Sequence, residues 1–290
     1  MTLKEIKIDL KKNLINNLKS HNISPNDHLY LGVNVGMIFY RYIKNPKIID
    51  LINKNKLELT KFILKILKDY ISKNGSLICP TFSYSTTNTG FFDIKKTKTN
   101  LGIFSQVFLE DKSSLRSDHS IHSISAIGKF KEIIKKGHGD FSFGINSPFE
   151  DFLKFKVKFI NIGVNFWKTC TYVNHVLHLN GCNYRFYKSF KVKKKIGNVT
   201  KYSYDFDLLR YKNISDTLKN EIIIEKILNK KKLINYSKKP IFFSVTDAKS
   251  VYNETKIILK KDSGIFLKGS KKVIFNDNLK NKNFIKIKIV

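Results

Sequence analysis

The sequence predicts an α/β fold, a mixed central β-sheet flanked by helices in an α/β/α sandwich. Three observations predict it. Stretches with helical apolar periodicity alternate with short apolar strands along the chain. The 290 residues are 42% hydrophobic and 13% aromatic, which is ample for a buried core. No internal repeat or low-complexity linker interrupts the pattern. One domain over residues 1–290 is therefore expected, with the lysine-rich part, 190–290, least supported.

Thr2 and Glu5 have capping-box spacing ahead of Ile6, Leu10, Leu14 and Leu18, so the chain opens with a helix to about residue 20. Asn22 to Asp27 reads as a turn. HLYLGVNV (28–35) reads as a buried strand in which Gly32 and Gly36 permit close backbone approach. LELTKFILKILKDYISK (57–73) is strongly helix-periodic, with Gly75 as its stop. SLICPTFSYS follows as a short strand running into a polar loop. Residues 86–100, rich in Thr, Asn and Gly, are expected to form an exposed loop. LGIFSQVFLED (101–111) reads as a helix, and 115–128 as a polar loop returning to SISAIG. Beyond GHGDFSFGINSPF, a helix near 149–155 precedes the strand VKFINIGV, and 169–181 reads as a helix. From about 190 onward, lysine-rich strands alternate with a helix around 216–229. KVKKKIG (191–197) reads as a solvated strand or hairpin.

Composition narrows the function. No apolar run approaches the roughly 20 residues that cross a bilayer. MTLKEIKIDLKK carries charges throughout and has no signal-peptide core, so a cytoplasmic protein is expected. Cys79, Cys170 and Cys182 form no CxxC pair or zinc spacing and are read as free, mostly buried thiols. His119, His122, His175 and His178 come without an HExxH pattern, so no metal is expected. The net charge is +31, but only Arg41, Arg116, Arg185 and Arg210 are arginines among 54 basic residues. Lysines spread along the whole chain indicate compositional drift rather than a nucleic-acid surface, because phosphate readers favour Arg.

Five segments carry a resemblance. GSLICPTFSYS (75–85) is similar to a strand and loop GTLVMPTFT, and TNLGIFSQVFL (99–109) to a segment with Gly before a short helix. RSDHSIHSISAIG (116–128) resembles R-S-x-H-P-x-x-S-x-A-x-x-G, and GINSPF (144–149) resembles G-x-x-S-P-F. CTYVNHVLHLNGCNYRF (170–186) stands where T-x-x-H-x-x-E is followed by Y-R. In this order and spacing, over about residues 75–190, they resemble the aminoglycoside 3-N-acetyltransferase family. The resemblance implies the α/β/α sandwich of that family. It also implies acetyl transfer from acetyl-CoA to the amine of a small acceptor, an aminoglycoside or amino sugar.

The chemistry needs a base, because an amine at neutral pH is mostly ammonium and has no lone pair for attack on a thioester. Here the chain departs from the motif. Counting from Thr171, the His position holds Asn174 and the Glu position holds Leu177; His175 follows directly. Three arrangements stay open: His175 as base after a one-residue shift, another base such as His119 or His122, or a degenerate relative. A basic binding protein for nucleic acid or other polyanions is the alternative from a different class. The catalytic candidates are His175, through the one-residue shift, and Asn174, which holds the motif's His position. The resemblance places cofactor contacts at Thr81, Phe82, Arg116, Ser117, His119, Ser123, Ser147 and Phe149. In a lysine-rich chain a retained Arg116 points to a bidentate contact, and Arg185 and Arg210 invite the same inference. Aminoglycosides are polycations, and 23 carboxylates against 54 bases would repel them. An amino sugar on a neutral or anionic carrier is the expected acceptor.

Overall fold

The computed structural model describes residues 1–290 except 43–44, 183, 211–221, 263, 267–283 and 286–290; the side chains of 41, 210, 284 and 285 also lie outside the described set. In α1 (Leu3–Ser20), Thr2 and Glu5 exchange side-chain bonds with each other's backbone N–H, the capping box read from their spacing. β1 (His28–Val33), the short α2 (Val35–Ile38), α3 (Pro46–Lys54) and α4 (Lys56–Tyr70) follow. The helix α4 ends at Ile71, so Gly75 is not its cap. Gly75 instead lies so close to the Pro25 carbonyl that a Cβ would overlap it. The first half closes with β2 (Ser76–Pro80), α5 (Thr86–Thr89), β3 (Phe91–Asp93), α6 (Ile103–Glu110), β4 (Leu115–Arg116), β5 (Ile124–Gly128) and α7 (Lys131–Lys135). Then come α8 (Asp151–Lys154), β6 (Lys158–Ile162), α9 (Tyr172–Leu179), β7 (Arg185–Ile196) and β8 (Val199–Arg210). The chain continues through α10 (Ile222–Lys230), β9 (Asn235–Ser237), β10 (Phe243–Asp247), α11 (Ala248–Lys261) and β11 (Phe284–Ile285).

A mixed sheet of seven strands runs β4-β5-β2-β1-β6-β10-β9. Its centre is parallel, with β1 between β2 and β6, and antiparallel strands complete both edges. Strand alternation divides the interior into two cores. Leu29, Leu31, Leu77, Cys79 and Ile160 face α1 and α4, where Leu10, Leu14, Ile63 and Leu67 meet them. Tyr30, Ile78 and Phe159 face the opposite layer, with Phe152 of α8, Val176 of α9 and Val251 of α11. The expected α/β/α sandwich is thus what forms. The second core is aromatic: Tyr30, Phe152, Phe159 and Tyr172 pack with ring centroids 5.4 to 6.1 Å apart. Such pairs each add about 1 kcal/mol beyond area burial.

A second sheet of four strands is built on the long hairpin β7–β8, paired from Arg185–Arg210 to Ile196–Val199. Three expectations change here. The stretch 86–100 is not simply an exposed loop: Phe92 and Asp93 are buried because β3 pairs with β7. Lys194, within the run read as solvated, is buried against Asp205 at 2.5 Å. The segment 248–261, expected among lysine-rich strands, is the helix α11, capped by Asp247 and burying Val251, Ile258 and Leu259. Of the helix expected around 216–229, residues 216–221 lie outside the described residues, and α10 accounts for the rest.

Candidate active site

A polar cavity of about 500 Å³ opens where the hairpin faces α9 and the loop after β4. Tyr84, Thr87 and Asn88 line it from the segment after β2, and His122 and Phe143 from the loops beyond β4 and α7. Thr171 and Asn174 reach it from α9 and its first turn. The hairpin supplies Arg185, Lys188 and Phe190 from β7, and Asp207 and its neighbours Leu208 and Leu209 from β8.

The loop 117–123 is held from within and from the hairpin. Ser117 Oγ accepts the Ile124 N–H at 3.0 Å, and His119 Nδ1 accepts the N–H groups of Ile121 and His122 at 3.3 and 2.9 Å. An Nδ1 that accepts carries no proton, and burial pushes the His119 pKa down, so this imidazole stays neutral. Asp205 and Asp207 are two apart on β8 and project to one face. Asp205 accepts the Ser120 N–H at 2.7 Å and pairs with the buried Lys194. Asp207 lies 2.9 Å from His122 Nδ1, an ion-pair separation in which the ring N–H does not point squarely at the oxygen. Burial opposes ionisation of Asp207, but the adjacent His122 and a hydrogen bond with Ser142 outweigh it and hold its carboxyl below the usual range. His122 retains 7% of its surface. Its ring sits among Phe82, Phe143 and Tyr84, with centroids at 4.7, 5.1 and 5.5 Å.

Helical geometry divides α9. Thr171 and Asn174, three apart, face the cavity. His175, about 100° further round, is turned into the core and is 2% exposed. Its Nδ1 accepts the Gly144 N–H at 3.1 Å and lies 3.4 Å from Ser147 Oγ, and its ring stacks on Tyr172. Burial, reinforced by His178, pushes its pKa down to about 3. The structure therefore does not bring His175 to the cavity as a base. It ties the GINSPF loop to α9. Gly144 has φ 95°, and a Cβ there would overlap the His178 imidazole. Leu177, at the motif's Glu position, is core.

Of the residues expected to contact the cofactor, none lines this cavity. Each is buried and engaged in holding its own segment. Thr81 bonds the Ser123 carbonyl and Ser125 Oγ. Ser123 Oγ bridges Arg116 and the Thr81 carbonyl. Arg116 donates to the carbonyls of Thr97 and Thr81 at 2.6 and 2.7 Å, and to Ser83 and Ser123. It sits over the Phe92 ring, and burial pulls its pKa down to about 10. The retained arginine is thus a clamp between β4 and the segments after β2 and β3, a fork that a lysine could not supply. Ser147 and Phe149 are likewise buried, Phe149 against Phe143 and Phe152.

The family model for aminoglycoside 3-N-acetyltransferases matches residues 55–239, more than half of the chain. The chain belongs to the aminoglycoside 3-N-acetyltransferase family. Its members' class of chemistry, acyl transfer, is therefore the chemistry of this chain. Solved aminoglycoside acetyltransferases share the fold. AAC(3)-Xa superposes with a TM-score of 0.70 at 12% identity, over 88% of this chain and 92% of its own. AAC-IIIb in binary complex with CoASH gives 0.67 at 15%, over 87% and 96%. An alanine-for-histidine mutant of AAC(3)-IVa in complex with a gentamicin gives 0.67 at 16%, over 88% and 90%. At these identities the likeness is one of fold. No curated protein matches the sequence significantly.

Asn174, at the position of the motif's histidine, lines the cavity, as do His122 and Arg185. The lining residues divide by legibility. His122 was one of the open alternatives for the base. Tyr84, Thr87 and Asn88 lay in segments read as loop. Asp207 stood in the lysine-rich part, where two carboxylates with strand period (Asp205 and Asp207) in a carboxylate-poor chain were the available signal. Arg185 was singled out, and it donates to the Leu208 carbonyl at 3.2 Å while lining the cavity. The side chain of Arg210 lies outside the described residues. Among the described residues no cluster of His, Cys, Asp or Glu could hold a metal, and no helix is long and apolar enough to cross a membrane.

Proposed function

We propose that this chain acetylates an amine of a small amino-sugar acceptor, using acetyl-CoA as donor and His122, backed by Asp207, as the base. The observation that carries the proposal is the His122–Asp207 pair, 2.9 Å apart, on the polar cavity that Asn174 also lines. Acetyl-CoA, when bound, supplies the thioester carbonyl that accepts the amine. The uncharged hydrogen-bonding groups of Thr87, Asn88, Thr171 and Asn174 suit the amide-bearing arm of such a donor.

The chain's own residues then have defined tasks. With Nδ1 held against Asp207, His122 takes the acceptor's proton on Nε2. Asp207 stabilises the imidazolium that forms, as do the rings of Phe82, Tyr84 and Phe143. The Asn174 amide is neutral over the working pH range, so it holds no proton for the reaction; its NH₂ is a donor for a developing oxyanion. The pairing of carboxylate and histidine that the motif places on one helix is rebuilt here from a loop and a β-hairpin.

The experiment is acetyl-CoA-dependent thiol release across an amino-sugar panel, with wild type, His122→Gln and Asp207→Asn. Loss of a general base costs about 10²- to 10⁴-fold in kcat. The expected result is a drop of that order for His122→Gln, with thermal stabilisation by acetyl-CoA retained. Undiminished transfer by His122→Gln would remove His122 from the mechanism. Absence of any melting shift with acetyl-CoA would remove the donor assignment.

A further inference from the structure

We infer that Lys188 and Arg185 form an anion subsite in the cavity, and that the acceptor is an amino sugar carrying a phosphate or carboxylate. This rests on the proposal that the cavity is the acetyl-transfer site. The charge balance of the lining carries the inference. Besides His122 and Tyr84, the titratable lining residues are Arg185, Lys188 and Asp207. Asp207 is the carboxylate among these described lining residues, it is buried, and it is turned to His122.

Lys188 lies directly across the hairpin from Asp207. Cross-strand partners of opposite charge ordinarily pair. Here Asp207 closes on His122 instead, and among the described residues Lys188 has no carboxylate partner; its ammonium sits 5.1 Å from the Phe190 ring centroid. Arg185 donates to the Leu208 carbonyl and brings a second positive charge to the same wall of the cavity. A polycationic acceptor would meet two cations and a carboxylate already committed to His122. An acceptor bearing one anionic group meets complementary charge, while Phe190 and Tyr84 offer apolar faces to a sugar ring.

A donor's phosphates share this chemistry, so the test separates acceptor from donor. The probes are glucosamine 6-phosphate, 2-amino-2-deoxyglucuronic acid, glucosamine and kanamycin, compared by kcat/KM. Acetyl-CoA affinity is measured separately by calorimetry. The expected result is a preference of about tenfold or more for an anionic amino sugar over glucosamine, about one charge-assisted contact. Lys188→Gln, and independently Arg185→Gln, should raise KM for that acceptor while acetyl-CoA affinity holds. A drop in acetyl-CoA affinity with acceptor KM unchanged would assign the cations to the donor and overturn the inference. Kanamycin outperforming both anionic sugars would overturn it as well. Should acetyl transfer itself be absent, direct calorimetric binding of glucosamine 6-phosphate, lost in Lys188→Gln, still supports the subsite; no binding refutes it.

Discussion

Replacing His175 by Gln separates a core histidine from a catalytic one, and its effect can be worked from the structure. The buried imidazole has its pKa pushed down from 6.5 to about 3, first by burial and then by His178. Above pH 6.5 it is neutral in folded and unfolded chains alike, so it adds no pH dependence there. As pH falls below 6.5 the unfolded chain takes up a proton that the folded chain refuses, so stability is lost progressively until about pH 3. Each pH unit in that window costs about 1.4 kcal/mol, so acidification from about pH 7.5 to about pH 5 removes roughly 2 kcal/mol through this residue.

Glutamine keeps an acceptor for the Gly144 N–H but cannot titrate. It also loses the ring that stacks on Tyr172. The variant should be less stable near neutrality by about 1–3 kcal/mol. It should then lose about 2 kcal/mol less than wild type on acidification. Urea unfolding of both proteins at the two pH values measures this. His28, His119, His138 and His178, whose pKa values burial also lowers, are common to both proteins and largely cancel in the difference. Equal pH dependence in the two proteins would refute the reasoning. So would a stable, folded His175→Gln enzyme with acetyl transfer abolished.

Two further outcomes follow from the scaffold around the cavity. Asp205→Asn leaves the buried Lys194 ammonium without its partner at 2.5 Å and weakens the anchor of the Ser120 N–H. A loss of about 3–5 kcal/mol is expected by denaturant titration, and an unchanged midpoint would show that the pair contributes nothing. Gly144→Ala forces a side chain onto φ 95° and against His178. The expected cost is at least about 1–3 kcal/mol, read as a lowered Tm, and an unshifted Tm would show that the loop relaxes freely.

Much of the fold was legible in the residues. The Thr2–Glu5 cap, the apolar runs of β1 and β2, and the periodicity of α4 are local signals; β1 stops at Val33, short of the string read as a strand, because Asn34 caps the short helix α2. The segment 86–100 misled because its composition is that of a loop, whereas β3 is created by pairing with the distant strand β7, where Phe91 meets Lys193. The helix α11 was hidden by lysines that lie on its solvent face and mask the apolar stripe of Val251, Ile258 and Leu259.

The sequence by itself determined the family and the sandwich, because both depend on short strings and on apolar period. It did not determine which polar residues meet. RSDHSIHS holds two histidines three apart. Backbone hydrogen bonds turn His119 inward, while Asp207, far beyond His122 in the chain, holds His122 at the cavity. Likewise His175 and Asn174 are neighbours in the chain but point about 100° apart on α9. Only the tertiary structure decided that the asparagine faces the cavity and the histidine faces the core, because burial and hydrogen-bond pairing are properties of what the folded chain packs against a side chain, and adjacency in sequence carries no information about that.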